Sequence, residues 1–384
     1  MSKPTKEPLF STLQLGMGWF SEDPGGLNRV YYNLLQHLPQ FGIETQGLVA
    51  GTSRVLYESN GQVETLGPAS DPLLLRWWRA RRAVRGALAR NQFSLVVSHF
   101  ALYTFPVLDL IRPHPLVIHF QGPWALEGMR RGLSTKAKGT IERVVYRCGT
   151  RFIVLSCAFR DVLHRNYGVP VERIRVIPGG IDVNRFACDF TRREARERLG
   201  WPHDRPILLT VRRLVQRMGL DDLTVAMKEV CKRLPEVLLL VVGEGPLAEE
   251  LSARVQALGL KNNVRLLGFV PDQDLPTAYR AADLTIVPSE AFEGFGLVVL
   301  ESLAAGTPAL VTPVGGLPEV VRDLSPGLVL PAAGANSLSE GIVMALTGGL
   351  VLPSTEACQT YVQERYDWPM ITARVRDVYL EALR

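Results

Sequence analysis

Nearly continuous apolar runs recur along the chain, each followed by a stretch with helical periodicity, and this alternation constrains the fold more than any other feature. In the first half they are FSTLQLG (10–16), SLVVSHF (94–100), PLVIHF (115–120) and RFIVLS (151–156). In the second half they are PILLTV (206–211), VLLLVVG (237–243), NVRLLGFV (263–270), LTIVPS (284–289) and PALVT (308–312). A strand with one wet face alternates apolar and polar residues, whereas these runs need cover on both faces, as βαβ crossovers provide. Each half therefore reads as a parallel sheet between helices. The polar, helical stretch 189–206, with its proline-rich exit, reads as a linker. It divides a domain at 1–190 from one at 191–364, and the amphipathic helix in 365–384 is expected to return to the first.

Helix boundaries are marked by residue type. Asp274 sits where an N-cap belongs, with Pro276 in the first turn. Pro246 opens a helix that should stop at Gly259, and the helix after Gly296 should stop at Gly306.

With 47% apolar residues in 384, the chain can bury its cores without staples. Its five cysteines form no Cys-x-x-Cys pair, which argues against a disulfide framework or zinc ribbon and fits a reducing cytosol. The N-terminal apolar stretch is short and broken by Ser11 and Thr12, so it reads as a first strand rather than a signal peptide. No window reaches the roughly 18 apolar residues of a membrane span. A soluble, cytoplasmic protein is the expectation.

Charge is unevenly spread. Residues 1–190 carry 23 Lys and Arg against 14 Asp and Glu, and the remainder 20 against 24. Six of the arginines lie in LLLRWWRARRAVRGALAR (73–90), beside Trp77 and Trp78. This segment is either a solvated amphipathic helix or a surface, Arg76–Arg90, that meets anionic lipid and makes the protein peripheral on a membrane. Nucleic acid fits poorly, because no binding module accompanies the basic stretch.

The densest chemical signal is AFEGFGLVVLESLAAGTPALVT (291–312). A loop with two glycines leads from a strand straight into a helix, where unpaired N–H groups and positive potential gather. That combination suits a diphosphate. Glu301 falls about one turn into the helix, roughly 6 Å from the phosphate end, within reach of a ribose diol.

Taken with other segments in order, this Glu-x7-Glu pattern resembles the retaining glycosyltransferases of family 4, which have the GT-B fold. The segments are DPGGLNRVYYNLLQHL (23–38), VIHFQGPW (117–124), VIPGGIDVNRF (176–186), TVRRLVQRMGLDDL (210–223), VVGEGP (241–246) and GGLPEVV (315–321). The resemblance covers most of the chain. It implies an α/β, GT-B architecture of two Rossmann-like, doubly wound domains with an inter-domain cleft. It implies transfer of a hexosyl-type group from a nucleoside diphosphate sugar to an acceptor hydroxyl with retention, no metal requirement, and a glycan, lipid-linked or small-molecule acceptor. A sugar-nucleotide epimerase of the same fold and a catalytically weak sugar-nucleotide-binding scaffold remain as alternatives.

By the same resemblance Gly25 and Gly26 approach the donor phosphate, and Arg213 stabilises charge on the leaving diphosphate. Glu293 contacts sugar hydroxyls, Glu301 holds the ribose, and the amides of Phe295, Gly296 and Leu297 meet the phosphates. His119 matches the histidine near the reacting sugar; its alternative is a satisfied histidine at a strand end. Three positions depart from the pattern. Met218 stands where the family carries lysine, so either Arg213 and Arg217 share the phosphate or its developing charge is less well neutralised, and a lysine at 218 is expected to be tolerated. Arg212 replaces a glycine, which bears on the loop's backbone path. Gly179 replaces an asparagine at a turn where both tolerate a left-handed backbone. Two further patterns are weaker. Asp272-x-Asp274 mimics a metal signature but reads as loop and helix cap, and GEGPLAEE is half of a dinucleotide fingerprint.

Overall fold

Two parallel sheets organise the chain. The computed structural model describes residues 9–126 and 133–384; residues 1–8, the leading part of the segment weighed above as a signal peptide, lie outside them. The seven strands of the first sheet are β1 (Phe10–Gly18), β2 (Ile43–Ala50), β3 (Val63–Thr65), β4 (Leu95–Ser98), β5 (Leu116–Phe120), β6 (Arg151–Val154) and β7 (Ile174–Val176). They are ordered β3-β2-β1-β4-β5-β6-β7, and every pairing is parallel. The second sheet contains β8 (Ile207–Val211), β9 (Leu238–Val242), β10 (Val264–Gly268), β11 (Leu284–Val287) and β12 (Ala309–Val311), ordered β10-β9-β8-β11-β12, again all parallel. The continuous apolar runs are mostly buried: every residue of β4, β5, β9, β11 and β12 is buried, whereas the edge strand β10 alternates and leaves Leu267 and, just beyond it, Phe269 exposed. Helices cover both faces of such strands, as the sequence pattern requires.

The compact units are Met1–Gly180 with Trp368–Arg384, and Ile181–Asp367. The division falls ten residues before the expected boundary at 190/191, for physical reasons. Asp182 accepts from the Arg185 amide at 3.2 Å and starts a short helix whose Phe186 is buried against Tyr279 of the second unit. The stretch read as a linker is itself built in. Thr191 and Glu194 form a capping box for the helix Arg192–Leu199. Arg196 is buried and donates to the carbonyls of Ala281 (2.9 Å), His203 (3.3 Å) and Arg205 (3.2 Å) and to Asp283 (2.6 Å).

The final helix, Trp368–Leu383, belongs to the first unit, where Trp368, Ile371, Val375, Val378 and Tyr379 are buried. Its start is closely seated: a Cβ on Gly180 would come within 2.6 Å of the Trp368 ring. The helices read from sequence form at Ala248–Ala257 and Leu297–Ala304, and both are followed by glycines in the left-handed region, Gly259 (φ 73°) and Gly306 (φ 81°). Gly179 is not among the residues with positive φ, so its turn makes no use of the left-handed freedom invoked for it.

Candidate functional site

In the second sheet the chain leaves β8 for β9 on one side and returns to β11 on the other. A topological switch point therefore lies at the carboxyl ends of β8 and β11, where doubly wound folds bind ligands. The sequence signals of the second unit converge on the loops that follow these strands: 212–219 after β8, 243–246 after β9, 288–296 after β11 and 312–316 after β12.

Glycines let the loops close on one another. Gly219 (φ 71°) would place a Cβ 1.8 Å from the Pro288 carbonyl oxygen, and Gly315 (φ 57°) would place one 1.8 Å from that of Glu293. Neither position admits a side chain. Gly316 donates its amide to the Glu293 carbonyl at 3.0 Å, which ties the β12 loop to the β11 loop.

The helix Leu297–Ala304 begins at Gly296 (φ 86°), with no side chain capping it. No hydrogen bond from the amides of Phe295, Gly296 or Leu297 is found among the described residues. These donors, at the positive end of the helix, form the geometry that binds an anion. Phe295 is buried with its ring 5.8 Å from Tyr366, which fixes the turn. Phe292, in the same loop, holds φ 51°, a conformation costly for a bulky side chain, on the order of 1–3 kcal/mol. Sequence reasoning passed over Phe292, because nothing about a phenylalanine signals a left-handed backbone.

The carboxylates sit at different depths of this crevice. Glu301 is 4% exposed and accepts from the Tyr279 hydroxyl at 2.9 Å. Glu293 is held by Arg212, whose Nη2 donates to its Oε2 and to Ser289 Oγ, while Ser289 Oγ donates to the same carboxylate oxygen at 3.0 Å. Burial alone would raise the Glu293 pKa. The Arg212 charge, the bonds from Arg212 and Ser289, and the Arg217 charge outweigh it and hold the carboxyl below its ordinary value.

The cations divide likewise. Arg213 is exposed, with no partner among the described residues, and so is available to an incoming anion. Arg217 turns toward the β11 loop and donates to the Phe292 carbonyl at 3.1 Å. Met218 is buried in the core with Leu220 and Leu223. The expectation that lysine would be tolerated there is therefore corrected: its charge would be carried into an apolar core. Arg212, the replacement for glycine, has a backbone outside the left-handed region, so the loop path accepts its side chain. Asp272 pairs with Arg185, and Asp274 holds the N-cap position of the helix Leu275–Ala281 without a side-chain cap bond.

In the first unit the same strand order places a switch point at the ends of β1 and β4. Gly25 precedes the helix Gly26–His37, and beyond its chain neighbours no atom of the described residues lies within 4 Å of where its Cβ would stand. Asn28 braces the approach, accepting from the Gly18 amide (3.1 Å) and donating to the Asp23 backbone carbonyl (2.8 Å) and Oδ2 (3.0 Å).

His119 lies within β5, buried, with Nε2 3.0 Å from the Tyr379 hydroxyl and its ring stacked on His99 at 4.4 Å. Burial lowers its pKa to about 3, so it is neutral. Of the two placements considered from sequence, this is the satisfied histidine. His99 in turn lies 2.9 Å from Gln14 Oε1 and is held far below the usual histidine range by burial and by His119.

Two residues of this unit escaped sequence reasoning. Gln121 follows β5, and its Nε2 is buried with no partner among the described residues. Glu142, fully buried, accepts from the amides of Trp124 (2.8 Å) and Ala125 (3.3 Å) and from the hydroxyls of Tyr146 (3.3 Å) and Tyr167 (2.8 Å), fixing the segment after Gln121.

The arginine-rich helix, Leu73–Arg90, spends much of its charge internally. Arg76 donates to the Tyr103 hydroxyl (2.8 Å), Arg79 pairs with Asp71, Arg81 with both oxygens of Asp109 (2.6 and 2.7 Å) and Arg90 with Glu64 (2.6 Å). What faces outward is narrower than Arg76–Arg90: Leu74 is 76% exposed and Trp78 56%, with Arg82 lying over the Trp78 ring. Among the described residues no helix is long and apolar enough to cross a membrane.

Comparison with known proteins identifies the family. The profile described as Glycosyltransferase Family 4 matches residues 24–185, and that described as Glycosyl transferases group 1 matches residues 191–365. The chain is 35% identical over 226 residues to mannosylfructose-phosphate synthase of Agrobacterium fabrum, covering 53% of this chain but only 49% of that protein, about half its length. It is 28% identical over 362 residues to phosphatidyl-myo-inositol mannosyltransferase of Mycobacterium leprae, covering 87% of this chain and 92% of that one. In fold it is similar to HepE of Anabaena, solved in complex with UDP-glucose, with a TM-score of 0.79 at 20% identity over 97% of this chain and 100% of that one. Two α/β units with parallel sheets, and the two profiles that together span residues 24–185 and 191–365, place this chain in glycosyltransferase family 4, a retaining, nucleotide-sugar-dependent family of GT-B fold.

Proposed function

We propose that the second unit binds a nucleoside diphosphate hexose at the β8/β11 switch point and that the enzyme transfers the hexosyl group to a hydroxyl of a lipid-linked, glycan or polyol acceptor. The observation that carries this reading is the cluster of unbonded amides at Phe295, Gly296 and Leu297, opening a helix whose fifth residue is the buried Glu301. The amides take the diphosphate, and Glu301 takes the ribose diol. Arg213 stabilises the charge that grows on the leaving phosphate, with Arg217 as a second donor. Glu293 accepts from a hydroxyl of the sugar. No covalent enzyme nucleophile is invoked: the departing phosphate receives the acceptor proton on the same face, and the protein contributes position and field.

Relatives named for mannosyl transfer and a fold neighbour solved with UDP-glucose support hexose as the transferred class. A relative named for a phosphatidyl-inositol acceptor, together with the outward face Leu74, Trp78, Arg82 and Arg85, supports a cytoplasmic, membrane-peripheral enzyme. The test is a panel of UDP-, GDP- and ADP-linked glucose and mannose, incubated with polyol and lipid-linked acceptors and scored by nucleotide release and by the anomeric configuration of the product. Release of one nucleotide with retention in the product is expected. Release without a glycosylated product, or an inverted product, contradicts the reading.

A further inference from the structure

Arg212 enters the crevice from the end of β8, its side chain buried and its backbone outside the left-handed region. Its carbonyl is overlain by Gly243, where a Cβ would come within 1.9 Å, and its amide donates to the Val242 carbonyl at 2.9 Å. The residue is thus fixed at its backbone before its side chain acts. One guanidinium nitrogen binds Ser289 Oγ and Glu293 Oε2, and Ser289 binds that same Oε2 at 3.0 Å. Glu293 is clamped through one oxygen, and no bond to its Oε1 is found among the described residues. A carboxylate held at one oxygen offers a single, directed acceptor, whereas an unclamped one can rotate and accept from several directions.

We propose that Arg212 is a positioning residue for the donor sugar: by clamping Glu293 through Oε2 it presents Oε1 as the one acceptor for a hydroxyl of the hexose. This rests on the donor-site reading above. Arg212 would then decide how strongly the site prefers a sugar nucleotide over the free nucleoside diphosphate, without touching the diphosphate itself.

The groups that face Glu293 are Arg212 and Arg217 from the β8 loop, Ser289 from its own loop, and the uncharged Gly315 and Gly316 from the β12 loop. With Arg212 removed, burial dominates, and the Glu293 carboxyl must rise toward protonation. The acidic limb of kcat/KM, which reports the ionised carboxylate, should then move to higher pH.

The experiment compares wild type with Arg212→Met, Arg212→Lys and Glu293→Gln, each shown folded by its thermal unfolding transition. Affinities are measured for UDP, GDP and ADP and for UDP-glucose, GDP-mannose and ADP-glucose, and kcat/KM is followed from pH 5 to 9. In Arg212→Met, affinity for the matching free diphosphate should stay within about twofold, while preference for the sugar nucleotide falls at least about tenfold, the scale of one lost hydrogen bond to a charged group. The acidic limb should move up. Arg212→Lys should recover part of both effects. Glu293→Gln, an isosteric change that serves if Arg212→Met does not fold, should lose the same preference and flatten the limb. An unchanged preference and limb in folded Arg212→Met, or Arg212→Lys no better than methionine, would overturn the proposal. Binding of none of the diphosphates by wild type would overturn the donor-site reading itself, and this proposal with it.

Discussion

Both sheets run strands in the order that makes a switch point beside the first strand, yet the residues placed there differ in kind. In the second unit the β8 and β11 ends carry an ion pair, together with an arginine and amides that have no partner among the described residues. In the first unit the β1, β4 and β5 region carries Gln14, His99 and His119, bonded or stacked on one another and closed by Tyr379. Burial acts on the two sets in opposite ways. It leaves the histidines neutral, while at Glu293 the neighbouring guanidinium overrides it and keeps the charge. One topology therefore carries two kinds of set: a charged one with an exposed arginine, and a neutral one of buried, stacked rings.

If the charged set carries catalysis, the largest effect should come from its exposed cation. Arg213→Ala should lower single-turnover rates by at least about a hundredfold, the scale of losing one oxyanion-type donor, with Arg217→Ala costing less. Near wild-type rates for both would break the contrast, since the phosphate would then be held by some other group.

The neutral set makes a smaller and different prediction. The folded pKa of His119, about 3, lies below the ordinary histidine value, so the unfolded chain binds the extra proton between the two. Its contribution to stability is complete above about pH 6.5 and is lost as pH falls toward 3, at about 1.4 kcal/mol per unit. Urea unfolding at pH 7.5 and 5.5 should show that loss, and His119→Gln should reduce its slope. A slope unchanged by the substitution would mean that His119 already titrates in the folded protein.

The smallest effect belongs to the surface of Leu73–Arg90. Replacing Trp78, Arg82 and Arg85 with alanine should change stability by about 0.5 kcal/mol or less per site while lowering co-sedimentation with anionic vesicles. Equal partition of wild type onto neutral and anionic vesicles would leave this face merely solvated.

Much of the fold was legible because burial on both faces writes itself as unbroken apolar runs. β2 was not, since Glu44, Thr45, Gln46 and Gly47 interrupt its pattern, and β3 and β7 are only three residues long. The unit boundary was missed because polarity suggested a linker where Arg196 is in fact buried among carbonyls. At the candidate site, the glycine loop and the position of Glu301 on its helix were legible from the local pattern, whereas Glu293 entered only through the family resemblance. The clamp on Glu293 was not legible: Arg212 lies 81 residues away in sequence, and only the adjacency of β8 and β11 brings the two loops together. Motif position also says nothing of packing: the side chain of Arg213 lies exposed, whereas His119 is buried with its Nε2 3.0 Å from the Tyr379 hydroxyl.

The account's central claim is that the β8/β11 switch point holds a nucleoside diphosphate by its amides and by Glu301. The most direct measurement is a calorimetric titration of UDP, GDP and ADP into wild type and into Glu301→Ala, with inorganic pyrophosphate as control. At least one nucleotide should bind wild type, and Glu301→Ala should weaken it by about tenfold to a hundredfold, the equivalent of about 1.5–3 kcal/mol, while pyrophosphate binding is kept. Unchanged nucleotide affinity in a folded Glu301→Ala protein would contradict the claim.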